Sequence, residues 1–98
     1  MISRSIVITG SSRGIGFGLA KYFLQLGHKI IINGRSENHV KKALQELKKI
    51  SSSVQGIAGD VTKEITHKAL ISLCVDHFGS VDIYINNAGI PQDNKSFI

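Results

Sequence analysis

The chain has 98 residues, 42% of them hydrophobic, with a formal net charge of +5 and a single cysteine. That length excludes more than one small domain, and no stretch approaches the ~18 to 20 consecutive apolar residues of a membrane span. Cys74 alone cannot form an internal disulfide, and its place in a helical pattern suits a buried small hydrophobe.

Met1 to Ser5 run straight into a first strand over residues 5–9, with no room for a charged segment, apolar stretch and cleavage site, so a cytoplasmic protein is expected. The run Ile6-Val7-Ile8 leads into Thr9-Gly10-Ser11-Ser12-Arg13-Gly14-Ile15-Gly16. A helix over about 13–26 follows, in which Ile15, Leu19, Tyr22, Phe23 and Leu26 recur at helical spacing as the expected inward stripe. Gly27 supplies its stop. Residues 29–33 form a continuous apolar run rich in β-branched side chains, which suits a strand buried on both faces and therefore a parallel sheet.

Ser36 is placed to cap a second helix whose buried stripe is Val40, Ala43, Leu44 and Leu47. Three serines, Ser51 to Ser53, end it. A third strand is expected over Val54 to Ala58, closing at Gly59-Asp60. Thr62 is then placed to cap a third helix, with Glu64 in its first turn and Ile65, Ala69, Leu70 and Leu73 facing inward. His77-Phe78-Gly79 ends that helix, Val81 to Ile85 reads as a fourth strand, and Pro91 to Ile98 as a polar loop. Strands alternating with helices predict a doubly wound parallel α/β sheet.

The lysines are spread over the helices with no aromatic side chains between them, so they read as solvated faces and no nucleic-acid partner is expected. The four histidines fall at turns or in different helices without ligand spacing, so no metal site is assigned. The chemistry is concentrated in the glycine turn. A strand feeding a helix through three glycines leaves the first amides of that helix unpaired and aimed above the sheet, where an anion fits. Gly10 allows the sharp turn, Gly14 lets a ligand approach the backbone, and Gly16 lets the helix pack closely. Taken alone, the same turn could bind nothing.

Four separated features then line up in order: the turn from Thr9 to Gly16, Asn33-Gly34-Arg35, Asp60-Val61, and Asn86-Asn87-Ala88-Gly89. Together they resemble the N-terminal half of the short-chain dehydrogenase/reductase family, and the match covers nearly the whole chain. The resemblance implies a Rossmann-like fold in which Gly10, Ser11, Ser12, Arg13, Gly14, Ile15 and Gly16 cradle the cofactor pyrophosphate. It implies that Asp60 and Val61 border the adenine, the Asp60 carboxylate accepting from its exocyclic amine. Asn87, Ala88 and Gly89 are carried over as contacts on the nicotinamide-ribose side. Apart from that company, Asp60 would suit a helix start and Asn87 to Gly89 a bare turn. Asn86 to Ile90, followed by Asp93-Asn94, looks somewhat like the 3-oxoacyl-acyl-carrier-protein reductases of the family.

Charge argues for the cofactor. An acid about 20 residues past the turn would hold the ribose 2′-hydroxyl of NAD. This chain has Arg35 there instead, and Arg35 and Arg13 can both reach a 2′-phosphate, so NADP is expected, with NAD as the alternative. In family members the hydride-transfer residues, a Ser and a Tyr-x-x-x-Lys pair, lie in the second half. Neither Tyr22 nor Tyr84 begins such a motif, so no catalytic residue is assigned. The expectation is a cofactor-binding half of about four strands in order 3-2-1-4. It would be inactive alone, and would pair with a complementing half or with itself through the open edge of the sheet.

Overall fold

In a computed structural model, which describes residues 2–89, four strands form one parallel sheet. They are β1 (Ser5–Ile8), β2 (Lys29–Gly34), β3 (Val54–Ala58) and β4 (Ile83–Ile85), in the order β3-β2-β1-β4. Three helices join them: α1 (Gly14–Gln25), α2 (Glu37–Leu47) and α3 (Glu64–Phe78). One turn of 3-10 helix over Asn87–Gly89 follows β4.

The register explains the apolar runs. Ile6 pairs with Ile30 and Ile83, Val7 with Ile31 and Tyr84, and Ile8 with Ile32 and Ile85. Alternate residues therefore feed two cores. Ile6, Ile8, Ile30, Ile32 and Val54 pack with Ala20 and Leu24 of α1 and Val40, Ala43 and Leu47 of α2. On the opposite face Val7 and Ile31 pack with Leu70 and Cys74 of α3. Strands β1 and β2 are buried on both faces because helices cover both, which is why they read as unbroken apolar runs. The chain first builds outward from β1 to β3, then returns to place β4 beside β1. That reversal opens a crevice above the carboxyl ends of β1 and β4.

Helix α2 follows expectation: the Ser36 hydroxyl accepts from the His39 N–H at 3.3 Å, and Val40, Ala43 and Leu47 are buried with Leu44 half-buried. Helices α1 and α3 differ from it. The stripe of α1 against the sheet is Gly16, Ala20 and Leu24, whereas Ile15 and Tyr22 are 78% and 56% exposed and Leu26 also faces solvent. In α3 the buried stripe is Thr66, Leu70 and Cys74, while Ile65 is 74% exposed. Small residues share the inward stripes with Leu24 and Leu70 because the helices ride close to the sheet, and Leu19, Phe23 and Leu73 pack against the cores from the sides. Thr62 does not cap α3. Its N–H and hydroxyl both donate to Asp60 Oδ1, at 2.9 and 2.7 Å, and Lys63 occupies the cap position with no side-chain bond. Residues 90–98, including the expected Pro91 to Ile98 loop, lie outside the described residues.

Candidate functional site

The glycine turn forms the floor of the crevice. Gly10 and Gly14 adopt φ values of 60° and 66°, in the left-handed region where a side chain is strained. The space around the three glycines differs. A Cβ on Gly10 would lie 2.9 Å from the Ala88 backbone, and one on Gly16 would lie 2.7 Å from Asn87 Nδ2 and also strike the Gly10 carbonyl. A Cβ on Gly14 would meet nothing within 4 Å. Gly10 and Gly16 are thus filled by the protein, and Gly14 opens outward.

Helix α1 begins without a side-chain cap, its Arg13 in extended conformation. The first amide of the turn to be taken inside the helix is that of Phe17, which donates to the Arg13 carbonyl at 3.4 Å; the amides of residues 12–16 donate to no group among the described residues. A missing cap costs a helix about 1 kcal/mol, so these donors are held ready at a cost to the apo fold. The positive end of the helix dipole adds ~0.3 to 1 kcal/mol of attraction for an anion placed there.

Neighbouring side chains lock the turn. Ser11 is fully buried; its hydroxyl donates to the Ile8 carbonyl at 2.6 Å and accepts from the Asn33 N–H at 3.0 Å, so its side chain is spent inside the protein. Asn33, also buried, accepts from the Gly10 N–H at 3.1 Å, and its amide donates to the carbonyls of Ile57 and Gly59, each at 3.3 Å. One side chain therefore ties the turn after β1 to the end of β3. From the other side Asn87 Nδ2 donates to the Gly10 carbonyl at 3.1 Å, and the Ala88 N–H donates to Thr9 Oγ1 at 3.0 Å. The Thr9 hydroxyl in turn bonds Asn86 Oδ1 at 3.1 Å. The segment after β4 thus closes on the glycine turn.

At the far side of the crevice Arg35 is exposed, one residue past β2. Asp60 Oδ1 is occupied by Thr62, while Oδ2 accepts no bond among the described residues. The two bonds from Thr62 hold the Asp60 carboxyl below the usual carboxylate range, and the nearby charge of Arg35 acts in the same direction. Asp60 is therefore an ionised acceptor with one free oxygen. Ser12 is half-buried against Gly34, where a side chain would strike its hydroxyl. Arg13 lines a groove of about 330 Å³ between α1 and α2, together with His39 and Lys42. The sequence reading missed those two residues because only packing brings α2 beside the turn.

Val61 is half-buried, and its carbonyl is bonded by His67 Nε2 at 2.8 Å; His67 Nδ1 is bonded in turn to the Tyr84 hydroxyl. Of the expected site residues, Gly10 and Gly16 meet Asn87 and Ala88 in direct contact, and Arg35 and Asp60 feel each other's charge across the other end. Ile15 stands exposed at the mouth, and Gly89 ends the 3-10 turn. Among the described residues no helix is long and apolar enough to cross a membrane.

An open parallel sheet with a glycine turn leaving its first strand, and a crevice where the strand order reverses, defines a Rossmann-like doubly wound domain. The family model described as short chain dehydrogenase matches residues 4–97, and the chain belongs to that family. It is 37% identical over 95 residues to the 3-oxoacyl-[acyl-carrier-protein] reductase of Chlamydia muridarum, covering 96% of this chain and 38% of that one. That likeness agrees with the resemblance read from the loop after β4, although Ile90, Asp93 and Asn94 lie outside the described residues. L-Sorbose reductase from Gluconobacter frateurii, solved with NADPH and L-sorbose, superimposes with a TM-score of 0.83 at 33% identity, over 91% of this chain and 34% of that one. The 3-ketoacyl-(acyl-carrier-protein) reductase from Brucella melitensis, solved with NADH, does so with a TM-score of 0.74 at 31% identity, over 83% of this chain and 32% of that one. The chain thus spans about a third of the length of these proteins.

Proposed function

We propose that this chain is the NADP(H)-binding portion of a short-chain dehydrogenase/reductase, the part that holds the dinucleotide while hydride passes between its nicotinamide and a carbonyl or alcohol substrate. The observation that carries this reading is the row of amides over residues 12–16 that donate to no group among the described residues, beneath the open side of Gly14. Such a row suits a pyrophosphate. Gly10, Ser11, Ser12, Arg13, Gly14, Ile15 and Gly16 form that cradle, Gly10 and Ser11 by bracing the turn, since their N–H groups donate to Asn33. Asp60 Oδ2 accepts the adenine amine beside Val61, and Asn87, Ala88 and Gly89 border the nicotinamide ribose.

Arg35 and Arg13 select the 2′-phosphate. Charge-assisted contacts contribute ~1.5 to 3 kcal/mol each, so two of them favour NADP over NAD by well over tenfold. The two tyrosines of the sequence, Tyr22 and Tyr84, lie in α1 and β4, and neither begins Tyr-x-x-x-Lys. No proton-transfer role is assigned to either tyrosine. A complementing half that carries a Tyr-x-x-x-Lys pair packs along β4, one edge of the sheet among the described residues, and self-association of this chain through the same edge is the alternative. The protein acts in the cytoplasm.

A noncatalytic dinucleotide-binding module is the second reading, favoured by the same lack of a Tyr-x-x-x-Lys motif. Calorimetry with NADPH and NADH tests both. NADPH binding at least tenfold tighter, with the difference lost in Arg35→Ala, is the expected result. Equal affinity in the unaltered chain would contradict the NADP assignment, and no binding of either would contradict the whole reading.

A further inference from the structure

His67 and Tyr84 belong to no motif of the sequence, yet they form a hydrogen-bonded chain that ends on the candidate site. The Val61 carbonyl can only accept, so in the neutral form of the ring His67 Nε2, 2.8 Å away, is the nitrogen that carries the proton. Nδ1 is then a lone pair, and the Tyr84 hydroxyl donates to it. The two rings, His67 on α3 and Tyr84 on β4, lie 5.8 Å apart at 42°, both residues half-buried. Burial pushes the Tyr84 phenol above its ordinary range, so it keeps the proton it donates.

The topology gives this contact its reach. The 60–63 turn follows β3, at one edge of the sheet, whereas Tyr84 stands on β4, at the other. The chain from Tyr84 through His67 to Val61 spans the face that covers β1 and β2 and fixes one side of the turn. The opposite side is fixed by Thr62 on Asp60 Oδ1 and by the Lys63 N–H on the Asp60 carbonyl at 3.0 Å. With both sides held, the free Asp60 Oδ2 has a set direction.

We infer that His67 and Tyr84 are positioning residues for base recognition: their hydrogen-bonded chain to the Val61 carbonyl holds the Asp60–Val61 turn in the form that selects adenine by its exocyclic amine. The inference rests on the dinucleotide-binding reading given above.

Tyr84→Phe, which removes one oxygen and keeps the ring, tests it with two probes: NADPH, and its analogue in which hypoxanthine replaces adenine, so that a carbonyl faces Asp60 in place of the amine. The unaltered chain should prefer NADPH by about tenfold or more, because a site built to accept a hydrogen bond rejects a ligand that cannot donate it. In Tyr84→Phe that ratio should shrink about threefold to tenfold, the worth of one net hydrogen bond, with little change for the analogue. Nitrogen NMR of the His67 ring should show the Nε2–H form in both proteins, with the Nδ1 resonance moved in the variant by loss of the hydrogen bond from Tyr84. An unchanged ratio, or parallel weakening of both probes as a general loss of fold would give, overturns the inference while the cofactor reading stands. Failure of the unaltered chain to bind either probe overturns that reading and the inference together.

Discussion

Gly14 and Gly16, two residues apart in one turn, do opposite things. Gly16 is enclosed by the Gly10 carbonyl and the Asn87 amide, so Gly16→Ala should overpack the turn and cost about 1 to 3 kcal/mol in a urea melt. Gly14→Ala places its methyl in open space, so its cost is the left-handed backbone alone, ~1 to 2 kcal/mol, while most NADPH affinity is lost. Comparing melts with binding isotherms separates the two roles. Asp60 adds a pH dependence. Its folded pKa is lowered, so it stabilises the fold above the ordinary carboxylate value of 3.8 and that contribution disappears as pH falls through the folded value. Stability should therefore fall more steeply in acid for the unaltered chain than for Asp60→Asn; parallel curves would contradict it.

The elements show what was legible in the sequence and what was not. The strands were, because runs such as Lys29 to Asn33 carry their own signal of two-sided burial. The cap at Ser36 was also legible, because a cap acts over three residues of local chain. The inward faces of α1 and α3 were legible only in part: Leu70 is buried and Leu19, Phe23 and Leu73 pack against the cores as expected, while Ile15, Tyr22, Leu26 and Ile65 face solvent. Apolar periodicity favours bulky side chains, but a helix lying close to a sheet turns in its smallest residues, here Gly16, Ala20, Thr66 and Cys74. The Thr62 cap failed because Asp60, two residues earlier, reaches the same hydroxyl and amide first. Leu70, fully buried in α3, and Ile65, 74% exposed in the same helix, provide the check. Leu70→Ala should cost about 2 to 5 kcal/mol, whereas Ile65→Ser should change stability by no more than ~0.5 kcal/mol.

At the scale of the whole molecule, β4 is an edge of the sheet among the described residues. Ile83 on that strand is 41% exposed, and Ile15, Tyr22 and Leu26 lie on the flank of α1 opposite to Phe17, which faces the α2 groove. The self-association proposed above would use this apolar edge strand and helix flank. Ile83→Lys should lower the self-association of the chain in sedimentation measurements; unchanged association would place the contact elsewhere. The site spans the same scale. Bonds between residues more than seventy positions apart, such as Thr9 with Asn86 and Asn87 with Gly10, assemble it. No local pattern could announce them, and the sequence resolved only the separate pieces.

The central claim is that these pieces form one cofactor site along the carboxyl ends of the strands. An NMR titration of the amide-labelled chain with NADPH tests it most directly. The account predicts that the amides of residues 12–16, Arg35, Asp60, Val61 and Asn87 to Gly89 shift together and saturate at one ligand concentration, while those around Ser53 and Gly79, at the opposite end of the sheet, stay in place. Shifts confined to the basic helix faces, or no saturable shift in the glycine turn, would contradict it.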